Sequence, residues 1–82
     1  MKAPRDRYVV DGHAYDKGEE IWDLGSFECV GVDTDGKRSY QGYSTDVSKL
    51  PPYAQAGSSA IIIDTGDLYR FYGKAGQWVK IG

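Results

Sequence analysis

The sequence predicts an all-β protein: a small antiparallel sandwich or partly open barrel of six to seven short strands that ends in a three-stranded meander. Two observations support this fold class. Three short apolar segments, residues 60–63, 68–72 and 77–81, occupy the last quarter of the chain and are separated by compact turns at residues 64–67 and 73–76. Short β-branched and aromatic segments between Gly- and Asp-containing turns are typical of hairpins. Turns at such close spacing along the rest of the chain indicate a small sandwich or barrel.

Two more hairpins are predicted before the meander. Residues 7–10 and 13–16 flank Asp11-Gly12, a dipeptide that suits the positive φ angles of a type I′ turn. Residues 26–32 and 37–43 flank a second turn at residues 33–36. Within these strands we expect two glycines to mark bulges or close backbone approaches; they are Gly31 and Gly42. The turn positions expected to require glycine are Gly12, Gly36, Gly66 and Gly76.

The segments between the hairpins are expected to be mostly irregular. Residues 17–25 predict a loop pinned by its apolar side chains, with a short strand at residues 21–23 as the alternative. Residues 46–50 predict one helical turn, capped by Thr45 or Asp46 and stopped by the two prolines that follow.

The length of 82 residues predicts a single domain. We expect residues 7–82 to form this domain and the polar residues 1–6 to be a flexible N-terminal arm. A domain of this size buries only about 60–65% of its unfolded surface. Its two Trp, seven Tyr and two Phe therefore cannot all be buried, and some are expected to lie on the surface.

Charge and composition exclude several classes of function. The net charge is −2, and no basic stretch is long enough to follow a phosphate backbone, so nucleic-acid binding is not expected. The longest apolar run, residues 60–63, is too short for a secretory or transmembrane helix, so no membrane association is expected. The single cysteine, Cys29, excludes an internal disulfide framework.

Two Asp-containing turns resemble parts of calcium-binding loops. Residues 33–36 read Asp-Thr-Asp-Gly, but a calcium loop needs a further oxygen ligand and a later bidentate Glu, and neither is present. Residues 64–67, Asp-Thr-Gly-Asp, are explained equally well by side-chain capping of a turn. We therefore predict backbone turns at both positions, with no metal site and no cofactor.

Catalysis is not predicted either. His13 is the only imidazole and follows a tight turn without an identifiable nucleophile beside it. Cys29 has neither a CxxC partner nor a nucleophile motif around it. The acidic residues Glu19, Glu20 and Asp23 lie in a polar loop, where carboxylates are usually only solvated. The expectation is a protein that is not an enzyme.

Aromatic residues in the meander are the main functional lead. Tyr69 and Phe71 alternate with Arg70 and Tyr72, so aromatic side chains lie on both faces of the sheet. One face is expected to form the core, and the other to form a subunit interface or a sugar-stacking platform. In the last strand, we expect Val79 and Ile81 to face the core, which turns Trp78 and Lys80 outward. The resulting candidates for an interface or ligand contact are Trp22, Arg70, Tyr72 and Trp78.

Several segments of the chain resemble a family of small proteins from tailed bacteriophages and prophages. The resemblance extends over roughly residues 20–82. Its last block, an apolar strand, Asp-Thr-Gly, an aromatic strand and Gly-x-x-Trp, is similar to hairpins of head-fibre and tail-fibre proteins. The segments that carry it are residues 22–29, 40–42, 45–51, 57–60 and 64–69. Its recurring residues correspond to turn and packing positions: Gly25, Gly57, Asp64, Gly66, Tyr69 and Trp78. The resemblance supplies no catalytic residues.

The resemblance implies a phage virion structural or assembly protein: a capsid decoration, head-fibre or tail-associated protein. It would act by homo-oligomerisation, with a trimer as the leading expectation, and by binding another virion protein. Its expected location is the virion, after assembly in the host cytoplasm. Two alternatives stay open: a carbohydrate-binding module on the virion, with a glycan as partner, and a counter-defence protein that binds a host protein or nucleotide signal.

Overall fold

Seven β-strands and one short 3₁₀ helix build the protein, which the computed structural model describes over residues 1–10 and 12–82. The all-β prediction is confirmed. The 3₁₀ helix spans Ser44–Lys49 and lies between the fourth and fifth strands. The strands are β1 (Tyr8–Val10), β2 (His13–Tyr15), β3 (Glu28–Val32), β4 (Arg38–Gly42), β5 (Ser59–Ile62), β6 (Leu68–Tyr72) and β7 (Gln77–Lys80).

The strands form two sheets. β1 and β2 pair as an antiparallel hairpin, as predicted, although Asp11 of its turn lies outside the described residues. β3 to β7 form a five-stranded sheet in chain order, and β5, β6 and β7 make the predicted meander. β4 and β5 run parallel, so the sheet is mixed rather than wholly antiparallel. Parallel neighbours need a crossover connection, and residues 43–58, which include the 3₁₀ helix, supply it.

The N-terminal segment is paired within the chain, which differs from the expected loose arm. The backbone N–H of Ala3 donates to the carbonyl of Glu19, and that of Gly18 donates to the carbonyl of Ala3. Lys2 and Glu20 form an isolated antiparallel bridge, and the Ala3 side chain is buried. These bonds satisfy backbone groups of two segments that each lack a sheet partner. The alternative strand at residues 21–23 is not formed.

The crossover helix begins and ends differently from its predicted caps. Tyr43 occupies the N-cap position and provides no side-chain cap, so neither Thr45 nor Asp46 caps the helix. The Asp46 carboxylate instead accepts a hydrogen bond from the backbone N–H of Ser26, over 2.9 Å. The helix ends before Leu50 and Pro51, as expected from the missing N–H of proline. No helix in the described part of the chain is long and apolar enough to cross a membrane.

One face of the five-stranded sheet carries the hydrophobic core. Residues 24–27 and 47–51 pack over this covered face. Gly42 allows their close approach, because a Cβ atom there would lie only 2.6 Å from the Phe27 ring. At Gly31 the register of β3 shifts against β4, which is the predicted bulge. The buried core residues are Phe27, Tyr40, Leu50, Ala60 and Ile62, with Leu24, Cys29, Val47, Tyr69 and Trp78 packed around them.

Candidate functional site

The opposite face of the five-stranded sheet, here called the open face, is exposed and carries a group of apolar side chains. Ile61 is 54% exposed, and Tyr72 and Ile81 are each 53% exposed. A sheet face that contacts only water normally carries polar side chains in alternation with the buried ones. Exposed apolar side chains grouped on one face mark an interaction surface. By strand alternation the side chains of the open face are those of Glu28, Ser39, Gln41, Ser59, Ile61, Leu68, Arg70, Tyr72, Gln77, Val79 and Ile81.

Strand register brings the apolar side chains of the open face together. Ile61 of β5 is directly opposite Leu68 of β6. Arg70 of β6 is directly opposite Val79 of β7. The backbone N–H of Ile81 donates to the carbonyl of Leu68, which extends this pairing past the end of β7. The open face therefore has a mainly apolar half, formed by β5, β6 and β7, which also carries the polar side chains of Ser59, Arg70 and Gln77.

A cleft of about 520 Å³ lies at the Tyr72 end of this apolar half. The loop at Ala56-Gly57 forms one wall, held by a hydrogen bond from the Gly57 N–H to the Phe71 carbonyl over 3.1 Å. Tyr72, Val79 and Ile81 line the other side. The volume falls in the range of about 300–1,000 Å³ that is usual for ligand-binding clefts.

Two cations border this apolar cleft. Arg70 and Lys74 both line it, and both are exposed. Within residues 1–10 and 12–82 neither side chain forms a hydrogen bond or an ion pair. A cationic rim around an apolar cleft favours a partner that presents an apolar group beside a carboxylate.

Trp78 belongs to the covered face, so the predicted outward orientation of this residue is wrong. Its indole ring packs edge-to-face against Phe71, with ring centroids 5.4 Å apart, and against Tyr40 at 6.0 Å. Val79 and Ile81 are the outward residues of this segment, with exposed fractions of 36% and 53%. Strand alternation correctly predicts that Trp78 lies on the face opposite to Val79 and Ile81. The prediction fails because residues 47–51 cover the face that carries Trp78.

Trp22 is partly exposed and lies on the side of the sheet opposite Tyr72. Its indole N–H donates to the carbonyl of Lys49 over 2.8 Å, which holds it at the end of the 3₁₀ helix, on the covered side of the sheet. Its backbone N–H donates to the Tyr15 hydroxyl over 3.0 Å. Trp22 still exposes 41% of its surface. Of the four candidates, Arg70 and Tyr72 share the open face, whereas Trp22 and Trp78 lie elsewhere.

His13 and Cys29, two of the residues considered for catalysis, contact other side chains of the protein. The His13 ring stacks on Tyr53, with centroids 4.3 Å apart and an interplanar angle of 19°. The Cys29 sulfur accepts from a guanidinium nitrogen of Arg38 at 3.7 Å. Among the described residues, no three His, Cys, Asp or Glu side chains converge in a way that could hold a metal ion.

The Asp residues of the two turns hydrogen-bond to their own surroundings. One carboxylate oxygen of Asp33 accepts from the backbone N–H groups of Asp35 and Lys37, each over 2.9 Å. Asp64 accepts from the Ser44 hydroxyl at 2.6 Å and from the Ser44 N–H at 2.9 Å, and these bonds lower the pKa of its carboxyl. The four turn glycines have positive φ: Gly12 at 78°, Gly36 at 86°, Gly66 at 77° and Gly76 at 67°.

Sequence reasoning missed the aliphatic part of the site. The sequence pattern predicts only a strand at Ile61 and places Val79 and Ile81 in the core, whereas all three are exposed. The uninterrupted apolar run at residues 60–63 carried a usable signal, since such runs are typical of strands covered on both faces. No sequence pattern predicts that Ala56 and Gly57 form a wall of the cleft, because this role depends on how their loop packs against β6.

Comparison with protein-family models, curated proteins and solved structures finds no match to this chain.

Proposed function

We propose that this protein is a homo-oligomeric binding protein of a bacteriophage virion that associates through the open face of its sheet. One observation carries the binding part of this proposal: Ile61, Tyr72, Val79 and Ile81 are exposed together on a sheet face that nothing in the described chain covers. Covering this face would remove apolar area from water at a favourable free energy of about 25 cal/mol per Å². The virion setting follows from the resemblance of residues 20–82 to small phage proteins.

Binding to a protein is favoured over binding to a sugar. A sugar platform needs exposed aromatic rings side by side, and the expected platform included Trp78, which packs against the core. Trp22 and Tyr72 lie on opposite sides of the sheet. The open face combines one aromatic ring with aliphatic side chains, which suits a protein surface better than a pyranose ring.

The oligomeric state tests the binding part of the proposal. Sedimentation velocity from micromolar to millimolar concentration is expected to show reversible association of the wild-type protein. Val79→Asp is expected to shift the protein to monomers, because it places a carboxylate within the apolar half of the open face. Val9→Asp is the matched control, since Val9 is an exposed valine of the separate β1–β2 hairpin. A wild-type protein that stays monomeric throughout would refute self-association.

The virion setting has a separate test. Mass spectrometry of purified, nuclease-treated phage particles should detect the protein among the capsid and tail proteins. Its gene is expected beside capsid and portal genes. Detection only in infected-cell lysate, with the gene in an early cluster, would instead favour the counter-defence alternative.

A further inference from the structure

The cleft on the open face has no counter-charge among residues 1–10 and 12–82, and the opposite side of the molecule carries a complementary surface. Arg70 and Lys74 border apolar walls without an ion pair in the described residues. Glu28 is the only acidic residue within strands β3 to β7, and it already accepts a hydrogen bond from Gln41 over 2.7 Å. Glu28 also lies on the edge strand, three strands away from Arg70.

The complementary surface surrounds Trp22. Trp22 exposes 41% of its surface, and acidic residues flank it in sequence. The side chain of Glu20 is 67% exposed and lies 3.4 Å from the N-terminal ammonium group, and that of Asp23 is 81% exposed and lies 3.8 Å from the Lys49 ammonium group. Both pairs lie at the surface, where solvent weakens them, so the two carboxylates remain accessible to a partner. A partly exposed tryptophan beside accessible carboxylates can serve as an interface anchor, because Trp is enriched among the residues that contribute most of the binding energy. We call this surface, formed by Glu19, Glu20, Trp22 and Asp23, the Trp22 surface.

We propose that copies of this chain associate head to tail, with the Trp22 surface of one copy seated in the Arg70–Tyr72 cleft of the next. This inference rests on the proposed self-association and specifies its geometry. The indole fits an apolar cleft that a tyrosine and two aliphatic side chains line, and the guanidinium of Arg70 can contact either the ring or its flanking carboxylates. The acidic surface and the cationic rim attract each other, although the whole chain carries a net charge of −2.

The placement of the two surfaces determines the symmetry of the assembly. Because Trp22 and the cleft lie on opposite sides of the sheet, two copies cannot satisfy both contacts at once by a two-fold rotation. A head-to-tail contact of this kind closes into a ring of three or more subunits or grows as a filament. The expected trimer is the smallest closed ring.

Two variants that each damage one surface test this geometry. Trp22→Ala removes the anchor, and Arg70→Glu reverses the charge of the cleft. Each variant alone is expected to be monomeric by sedimentation velocity. An equimolar mixture is expected to form dimers and no larger species, because the intact Trp22 surface of the Arg70→Glu protein fits the intact cleft of the Trp22→Ala protein.

A charge exchange keeps the test decisive if Trp22→Ala fails to fold. Glu20→Lys alters an exposed carboxylate and is expected to weaken assembly at least tenfold, whereas the double variant Glu20→Lys/Arg70→Glu should recover it. Asp35→Lys, in the turn after β3, produces the same change in net charge and should leave assembly intact. If folded Trp22→Ala or Glu20→Lys assembles like the wild type, head-to-tail geometry is refuted while self-association through the open face stands.

Discussion

The indole N–H of Trp78 donates a hydrogen bond to the carbonyl oxygen of Pro51 over 2.9 Å. This bond joins the last strand to the end of the crossover, two segments that are 27 residues apart in the chain. It also satisfies the one polar atom of a side chain that is otherwise packed against Tyr40 and Phe71.

Trp78→Ala is therefore expected to destabilise the fold rather than dissociate an assembly. Removing a ring that packs on the core leaves a cavity, and the expected cost is about 3 kcal/mol of unfolding free energy. Urea denaturation followed by far-UV circular dichroism measures this cost. Trp78→Phe should lose less, because it keeps a ring against Phe71, although it gives up the bond to Pro51 and part of the ring volume. An unchanged urea midpoint for Trp78→Ala would contradict the core assignment.

Substitution of Gly66 is expected to depend on backbone conformation alone. Gly66 has a φ of 77°, and a Cβ atom at this position would meet nothing within 4 Å. Gly66→Val should cost about 1–3 kcal/mol, because a β-branched residue adopts this φ only with strain. Gly66→Asn should cost much less, since asparagine tolerates the left-handed region. Thermal unfolding of the two variants compares these costs, and equal midpoints would argue against backbone strain as the cause.

The Ser44–Asp64 pair predicts a specific dependence of stability on pH. Hydrogen bonds from the Ser44 hydroxyl and N–H lower the pKa of Asp64 in the folded protein. A carboxyl whose pKa is lower in the folded than in the unfolded state stabilises the fold above its unfolded pKa, near 3.9. This contribution is lost as the pH falls through the folded pKa.

Asp64→Asn is accordingly expected to be less stable than the wild type at pH 7. The difference should begin to shrink below a pH of about 4, where the unfolded carboxyl becomes protonated, and should disappear as the pH falls through the lowered pKa of Asp64 in the folded protein. Urea midpoints measured from neutral to strongly acidic pH provide the comparison, with Ser44→Ala as a second variant that removes the hydroxyl donor. A difference that stays constant across the acid range would show that the charge of Asp64 is not responsible.

Calcium is expected to leave the thermal midpoint unchanged relative to magnesium. The Asp33 and Asp64 carboxylates accept hydrogen bonds from nearby backbone and hydroxyl groups. An ion that bound only the native state would raise the midpoint by mass action. Differential scanning calorimetry in millimolar calcium, magnesium or chelator tests this expectation. A rise of several degrees with calcium alone would reveal a site at one of these turns.

Local patterns in the sequence were sufficient to predict the class of fold and the positions of most strands. β-Branched and aromatic segments predicted the meander, and Gly66 in its first turn has the expected positive φ. Gly31 and Gly42 also fulfil their predicted roles, one at a bulge and the other beneath Phe27. The strands and turns depend on backbone sterics within a few residues, which the order of amino acids records directly. The close approach of Gly42 to Phe27 is instead a contact between distant segments.

Tertiary structure alone decided which side of the sheet became the core. Alternation places Trp78 and Val79 on opposite faces but is the same whichever face is buried. The choice depends on where the crossover through Ser44–Lys49 packs, and that crossover also makes β4 and β5 parallel. The same choice leaves Arg70 and Tyr72 on an uncovered face and places Trp22 on the other side. The sequence by itself therefore determined the strands and turns, whereas long-range packing determined which side chains were left to form a site.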